Sequence, residues 1–154
     1  MPICNIHLKA DKPNQLPLPD ENDKSLGAEL KRRRLALEWT QQRCARHFGI
    51  IKDSYQKWEW NRNVPDIKKR KLVNAFLKFN FWDDQSCSLS NRVLLHRIEY
   101  SLYRMDFAKI CNVSESTIER IEKNNELVSE YILSYLELLF LDRITPIANE
   151  ISGQ

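Results

Sequence analysis

The sequence predicts an all-α fold, organised as two tandem units of four or five helices each after a flexible N-terminal arm. Residues that break helices are scarce, since the 154 residues include three glycines and six prolines, and four of the prolines lie within the first 19 residues. Apolar residues after residue 25 recur at helical intervals, and a similar pattern then appears a second time. Together these observations favour helices throughout and a duplicated unit.

The N-terminal segment, residues 1–24, is polar and rich in proline and shows neither helical nor strand periodicity, so we expect a flexible arm. It contains Cys4 and His7, the one pair in the chain whose spacing resembles metal ligands. A structural zinc site needs four ligands, usually as two close pairs, so we expect no metal and no cofactor. No apolar run approaches the roughly 20 residues that span a bilayer. The N-terminus also lacks the layout of a signal peptide, so a cytoplasmic location without a membrane partner is expected.

Charge is distributed unevenly along the chain, although the formal net charge is only +3. Residues 26–79 contain 14 basic and 5 acidic residues, a net charge of +9. Residues 80–154 contain 7 basic and 12 acidic residues, a net charge of −5. A basic part beside an acidic part indicates a polyanionic partner for the basic part only, and a solvated basic face is the alternative interpretation.

Four helices are predicted between residues 25 and 82. Ser25 opens the first helix, and Thr40 can cap the second by accepting a backbone N–H. Gly49 ends the second helix, because glycine readily adopts the left-handed conformation needed there. A third helix over about residues 52–59 and a fourth over about residues 66–79 follow. The apolar side chains expected in this core are Leu26, Leu30, Leu37, Cys44, Ala45, Phe48, Tyr55, Trp58, Leu72, Val73, Phe76 and Leu77.

Two short helices joined by a glycine turn, with a small alanine where they cross, form a helix-turn-helix. The residues that carry a resemblance to a known family are Arg34, Thr40, Gln41, Ala45, Gly49, Trp58 and Glu59. With these residues, positions 26–77 resemble the lambdoid phage repressor and Cro class, also called the xenobiotic-response-element family. The sequence departs from that family at Asn61, where glycine is usual, and at Ile51, where a capping serine or threonine is usual.

The resemblance implies a sequence-specific regulator of transcription that binds double-stranded DNA, more often a repressor than an activator, and a location with the nucleoid. In the family the third helix enters the major groove. The residues then expected to read bases are Lys52, Asp53, Ser54, Gln56 and Lys57. Those expected to contact phosphates are Arg34, Gln41, Arg43, Arg46 and Arg62. The basic run at residues 68–71 has two interpretations, further phosphate contacts or a solvated face.

The second unit emerges when the chain is shifted by 63 residues. Identical residues then coincide at several positions, and apolar positions coincide at several more. Arg34 lies on an apolar stripe and Glu59 ends the third helix, so we expect them to form an ion pair. The same pair is expected between Arg97 and Glu122 of the second unit. The identities include Arg34 with Arg97, Ala45 with Ala108, Glu59 with Glu122, and Asn61 with Asn124.

The second unit, residues 83–154, departs from the first where DNA would be contacted. Tyr103 and Arg104 replace the Thr-Gln pair, so the cap is lost, although Arg104 can still meet a phosphate. Its third helix exposes Glu115, Ser116, Glu119 and Arg120, and carboxylates repel a duplex. We therefore expect an acidic, degenerate helix-turn-helix that serves packing or dimerisation.

The last helix of the second unit is apolar on more than one face, so it must be buried on several sides. Either the first unit covers the second face, or another copy of the chain does, which gives a homodimer through the C-terminal helix. Aromatic residues just before the acidic linker are candidates for the joint between the units. They are Phe79, Phe81 and Trp82.

Two other classes of function receive less support from the sequence. An enzyme is not expected, since His7, His47 and His96 have no nucleophile or carboxylate at a suggestive spacing and the chain has no glycine-rich phosphate loop. The alternative function is a protein-interaction role, such as an antitoxin or a co-regulator whose scaffold no longer reads bases. The charge of +9 on the first unit argues against a purely protein partner.

Overall fold

The computed structural model describes residues 18–123 and 128–141. Within these ranges the chain has eight helices and no strand, so the predicted all-α fold is confirmed. Most of the predicted arm, with Cys4 and His7, lies outside the described residues, as does Asn124. The helices are α1 (Leu26–Ala36), α2 (Gln41–Phe48), α3 (Lys52–Glu59), α4 (Ile67–Leu77), α5 (Leu89–Glu99), α6 (Arg104–Ile110), α7 (Glu115–Glu122) and α8 (Glu130–Leu141).

The helices recur at a fixed interval along the chain. α1 to α4 begin at positions 26, 41, 52 and 67, and α5 to α8 begin at 89, 104, 115 and 130. Left-handed backbone conformations recur at the same interval, at Glu38 and Ser101 and again at Gly49 and Asn112. This interval equals the shift at which the sequence resembles itself. The division of the chain into two domains stays a prediction.

The caps of the first helices follow the local sequence. Ser25 and Thr40 occupy the N-cap positions of α1 and α2, and each side chain accepts a backbone N–H from the first turn. Gly49 ends α2 in the left-handed conformation, with φ of 61°. Ile51 stands at the N-cap of α3 without a capping hydrogen bond. Asn61, also left-handed, follows α3.

Asn61 joins the end of α3 to the start of α1. Its Oδ1 accepts a hydrogen bond from the backbone N–H of Gly27 at 2.8 Å, and its Nδ2 donates to the Ser25 hydroxyl at 2.8 Å. A glycine at this position would supply the left-handed turn but neither hydrogen bond. The departure from the family pattern therefore adds a side-chain link between two helices.

Helix α4 is shorter than predicted. It begins at Ile67, with Asp66 as its N-cap, and ends at Leu77, whereas the sequence suggested residues 66–79. Lys78 takes the left-handed conformation, with φ of 71°, and this stops the helix. Phe79 consequently lies beyond the helix and is exposed.

Buried apolar side chains form two clusters. One is built by α1 to α4 and includes all the predicted core residues of that unit, with Leu37 and Leu72 partly buried at its edge. The other is built by α5 to α8 around Val93, Phe107, Ile118 and Leu136. Phe81 and Trp82 pack against the first cluster.

Helix α8 buries one face only. Leu136 and Leu139 are buried, whereas the outer face is exposed. The prediction that the first unit covers this outer face is therefore wrong for the single chain, because no helix of α1 to α4 packs there. The exposed side chains of that face are Tyr131, Tyr135, Leu138 and Leu141.

The basic run at residues 68–71 contacts the second set of helices, which comprises α5 to α8. Lys71 Nζ bonds the Glu99 carboxylate at 2.7 Å, and the Lys68 ammonium lies 4.7 Å from the centre of the Tyr103 ring. Arg70 stacks over Trp82 and donates to the carbonyl of Pro65. Lys68 and Lys71 keep their exposure to solvent while making these contacts, so both sequence interpretations of the run stay predictions.

Helices α1 and α3 approach each other closely at Gly27. A Cβ atom built on Gly27 would lie 2.3 Å from the carbonyl oxygen of Glu59, well inside any real contact. The residue 63 positions later is Ser90, whose hydroxyl donates to the Glu122 carbonyl at 2.6 Å. The first unit therefore packs backbone against backbone where the second places a hydroxyl between the helices.

Replacing Gly27 with alanine should destabilise the fold by about 1–3 kcal/mol, because the added methyl group forces α1 away from α3. Urea denaturation measures the change. Ala36→Ser is the matched control, since it adds one heavy atom at an exposed position of the same helix and should leave the midpoint nearly unchanged. An unchanged midpoint for Gly27→Ala would contradict this packing.

Candidate nucleic-acid interface

A buried ion pair links α1 to the end of α3. The structure brings together Arg34 and Glu59, the two residues predicted to pair, with Nε to Oε1 at 2.5 Å and Nη2 to Oε2 at 3.2 Å. Their side chains are only 6% and 2% exposed. Burial disfavours the charge of Arg34, but the hydrogen bond and charge of Glu59 outweigh it and raise the pKa of Arg34.

Arg34 is therefore unsuited to the predicted phosphate contact. Its third polar group, Nη1, donates to the carbonyl of Trp39 at 3.2 Å, so the whole guanidinium is directed to groups of the protein. The sequence indicated an apolar environment for Arg34. Its side chain is buried too deeply to favour a phosphate contact at the surface.

Two glutamines extend this pair toward the surface. Gln41 Nε2 donates to Glu59 Oε2 at 2.7 Å, and Gln41 Oε1 accepts from Gln56 Nε2 at 2.9 Å. Both glutamines are half-buried. The network thus joins α1, α2 and α3 through hydrogen bonds, and it fixes the position of Gln56 on the predicted reading face.

The remaining predicted contacts lie on a basic surface formed by α2, α3 and the segment after α3. Lys52, Asp53 and Lys57 are exposed on α3, whereas Ser54 is half-buried. Ile51, at the start of α3, is also exposed. The exposed cations of this surface are Arg43, Arg46, Lys52, Lys57 and Arg62.

Tryptophan rings hold two of these arginines. The guanidinium of Arg43 lies 4.5 Å from the centre of the Trp39 ring, and that of Arg62 lies 4.9 Å from the centre of the Trp60 ring. Such stacking limits the conformations of an exposed arginine while leaving its N–H groups free to bond an anion. Sequence reasoning missed both tryptophans, although an aromatic residue four before Arg43 and two before Arg62 was a signal.

One lysine of the basic run at residues 68–71 lies near the turn between α2 and α3. Lys69 Nζ lies 3.5 Å from the position that a Cβ on Gly49 would take. It therefore adds positive charge beside the turn between α2 and α3, while its neighbours in the basic run contact the second set of helices. The sequence alone does not show which cations of the run lie near the turn and which contact the second set of helices.

The corresponding surface of the second unit is different. Arg97 pairs with Glu122 as predicted, and both side chains are buried. Arg104, which stands 63 positions after Gln41, bonds the other oxygen of Glu122 at 2.6 Å, so its predicted availability for a phosphate is reduced. The cap is lost at Tyr103, as expected. The exposed polar residues of α7 are Glu115, Ser116 and Arg120.

Residues 18–123 and 128–141 offer little basis for metal, membrane or thiol chemistry. No group of three or more potential metal ligands occurs in these ranges, and no helix there is long and apolar enough to cross a bilayer. Cys44 and Cys111 are buried, and burial raises the pKa of the Cys111 thiol to about 11. A buried, protonated thiol is a poor nucleophile.

Comparison with known proteins assigns no function to the chain, so the function is inferred from its own residues. No family model, curated protein or solved structure matches the chain significantly. The feature that bears on function is therefore the set of five exposed cations on α2, α3 and the segment after α3, next to a buried polar network that joins these helices.

The Arg34–Glu59 pair should show strong energetic coupling. Arg34→Ala and Glu59→Ala should each lower the free energy of unfolding by about 3–5 kcal/mol, because each leaves a buried charge without a partner. The double variant should lose less than the sum, as measured by urea denaturation of all four forms.

The exposed pair of Lys71 and Glu99 serves as the matched control for this cycle. Its side chains are 56% and 62% exposed, so its coupling should stay below about 1 kcal/mol. Additive losses at Arg34 and Glu59, or equal coupling in both cycles, would contradict the role given to the buried pair.

Proposed function

We propose that the chain is a sequence-specific regulator of transcription that binds double-stranded DNA, with α3 in the major groove. The observation that carries this proposal is the cluster of exposed cations on α2, α3 and the segment after α3. A helix of eight residues fits the major groove, and cations around it neutralise phosphates on both sides. The resemblance of residues 26–77 to the lambdoid repressor and Cro class supports the same conclusion.

The phosphate contacts in this proposal are Arg43, Arg46 and Arg62, with Lys69 near the turn. Trp39 and Trp60 stack against two of these arginines, so less conformational freedom is lost when a phosphate is bound. Phosphate contacts position the protein on the duplex and supply most of the affinity that does not depend on sequence.

Base recognition is assigned to the exposed start and outer face of α3. Lys52 and Lys57 can donate to guanine O6 and N7, and Asp53 can accept from cytosine N4. Gln56, held by Gln41, can bond adenine through the part of its amide that remains accessible. Ile51 offers an apolar surface to a thymine methyl group.

Binding to duplex DNA should fall steeply with salt. With about 3–5 cationic contacts to phosphates, the logarithm of the association constant should fall with the logarithm of salt concentration at a slope of roughly −3 to −5. Fluorescence anisotropy with a labelled random duplex across a salt series measures the slope. A flat response, or no binding at low salt, would refute DNA binding and favour the protein-interaction alternative.

Single substitutions should separate base recognition from phosphate contact. Lys57→Ala should reduce discrimination at one base pair by about 1–3 kcal/mol, whereas Arg43→Ala should weaken all sequences about equally and lower the salt slope by about 1. Selection from a random pool, followed by competition binding, measures both effects.

Arg120→Ala is the matched control for this comparison. Arg120 stands 63 positions after Lys57 and is likewise exposed, but it lies on the acidic α7. Its removal should change neither affinity nor preference. If Lys57→Ala and Arg43→Ala lowered affinity without altering preference, the assignment of Lys57 to base recognition would be wrong.

The outer face of α8 supports a homodimer as part of the same proposal. Tyr131, Leu138 and Leu141 are exposed together on one helix, and an apolar patch of this kind is typical of a protein–protein contact. Two chains joined there by a two-fold axis would carry two copies of the basic surface, which suits an operator with two half-sites.

A further inference from the structure

A groove separates the end of α4 from α5 and α8. It has a volume of about 1160 Å³ and lies between the two sets of helices, apart from the basic surface of α2 and α3. Small-molecule sites in proteins commonly measure about 300–1,000 Å³ and often lie between packed units. The groove is therefore large enough for a small ligand.

One side of the groove is aromatic. The ring of His96 lies 4.6 Å from that of Tyr100 and 5.5 Å from that of Phe140. Burial lowers the pKa of His96, although the charge of Glu99 opposes this, so the imidazole is neutral at pH 7. Phe79 adds a further exposed ring from the α4 side. Flat apolar molecules pack well against rings arranged in this way.

The cations of the groove differ in whether they have a partner. Lys71 forms an ion pair with Glu99, and Arg92 forms a bidentate ion pair with Glu137. Lys78 forms no ion pair and no side-chain hydrogen bond with any residue in the described part of the chain. The groove thus combines an aromatic side with one cation that has no ion-pair partner among residues 18–123 and 128–141.

We propose that this groove binds a small aromatic anion, with its ring against Phe79, His96 and Tyr100 and its acidic group at Lys78. The ligand contacts α4 on one side and α5 and α8 on the other, so its binding is coupled to the relative placement of the two sets of helices. This site is separate from the proposed DNA surface and stands on different residues.

Anilinonaphthalenesulfonate, a fluorescent aromatic anion, is the probe for a test on the full chain. One molecule should bind per chain in a saturable manner. Lys78→Ala should weaken its binding about tenfold, the usual effect of losing a hydrogen bond to a charged group. Phe79→Ala should also weaken it. The uncharged analogue N-phenylnaphthylamine should bind less tightly and should not respond to Lys78→Ala.

Two exposed residues away from the groove provide the controls. Lys109→Ala removes a lysine of α6, and Leu138→Ala removes an apolar side chain from the outer face of α8. Both should leave dye affinity within about twofold, as surface changes away from a site generally do. Absence of saturable binding, indifference to both groove variants, or loss of binding in Leu138→Ala would overturn the proposal.

The proposal of DNA binding can be tested independently of the proposal for the groove. Lys57→Ala, in the DNA surface, should retain dye binding, and Lys78→Ala should retain the wild-type affinity for random duplex DNA. A chain that binds the dye at this groove but no DNA supports the ligand site and refutes the regulator. Loss of dye binding in Lys57→Ala would show that the dye occupies the basic surface, and the groove proposal would be wrong.

Discussion

The buried pair of Arg34 and Glu59 is the contact on which the geometry of the basic surface depends. Both groups are almost fully removed from water, so each charge is tolerated only because the other lies beside it. The pair binds α1 to the last residue of α3, and Gln41 joins α2 to the same carboxylate. Lys57 precedes Glu59 by two residues, so its orientation is set by a contact in which it takes no part.

The second set of helices keeps this pair and changes its outer partner. In the first unit, the neutral amide of Gln41 extends the hydrogen-bond network from Glu59 to Gln56. In the second, Arg104 binds Glu122 directly, and the network ends there. Glu119, which stands 63 positions after Gln56, instead accepts a hydrogen bond from Lys123, four residues later in the chain. Helices α1 to α3 and α5 to α7 thus repeat the same buried pair, with exposed cations on α2 and α3 and an excess of carboxylates on α7.

Periodicity and capping residues were sufficient to predict the helices, because both are local properties of the chain. The pairing of Arg34 with Glu59 was also accessible, since a charge on an apolar stripe requires a partner. Its predicted phosphate contact was wrong, because that depends on the depth of burial, which neighbouring helices decide. The direction of the basic run at residues 68–71 depends on where α5 and α6 lie, and no local pattern records that.

The joint between the two sets of helices has a consequence for any work at varied ionic strength. Lys71 and Glu99 are exposed, and Lys68 lies over Tyr103 at the surface, so dissolved ions weaken these contacts over distances of about 10 Å at 0.1 M salt. Salt therefore acts inside the molecule as well as between the molecule and a polyanion. A titration with salt is therefore expected to weaken the contacts between the two sets of helices as well as any contact with a polyanion.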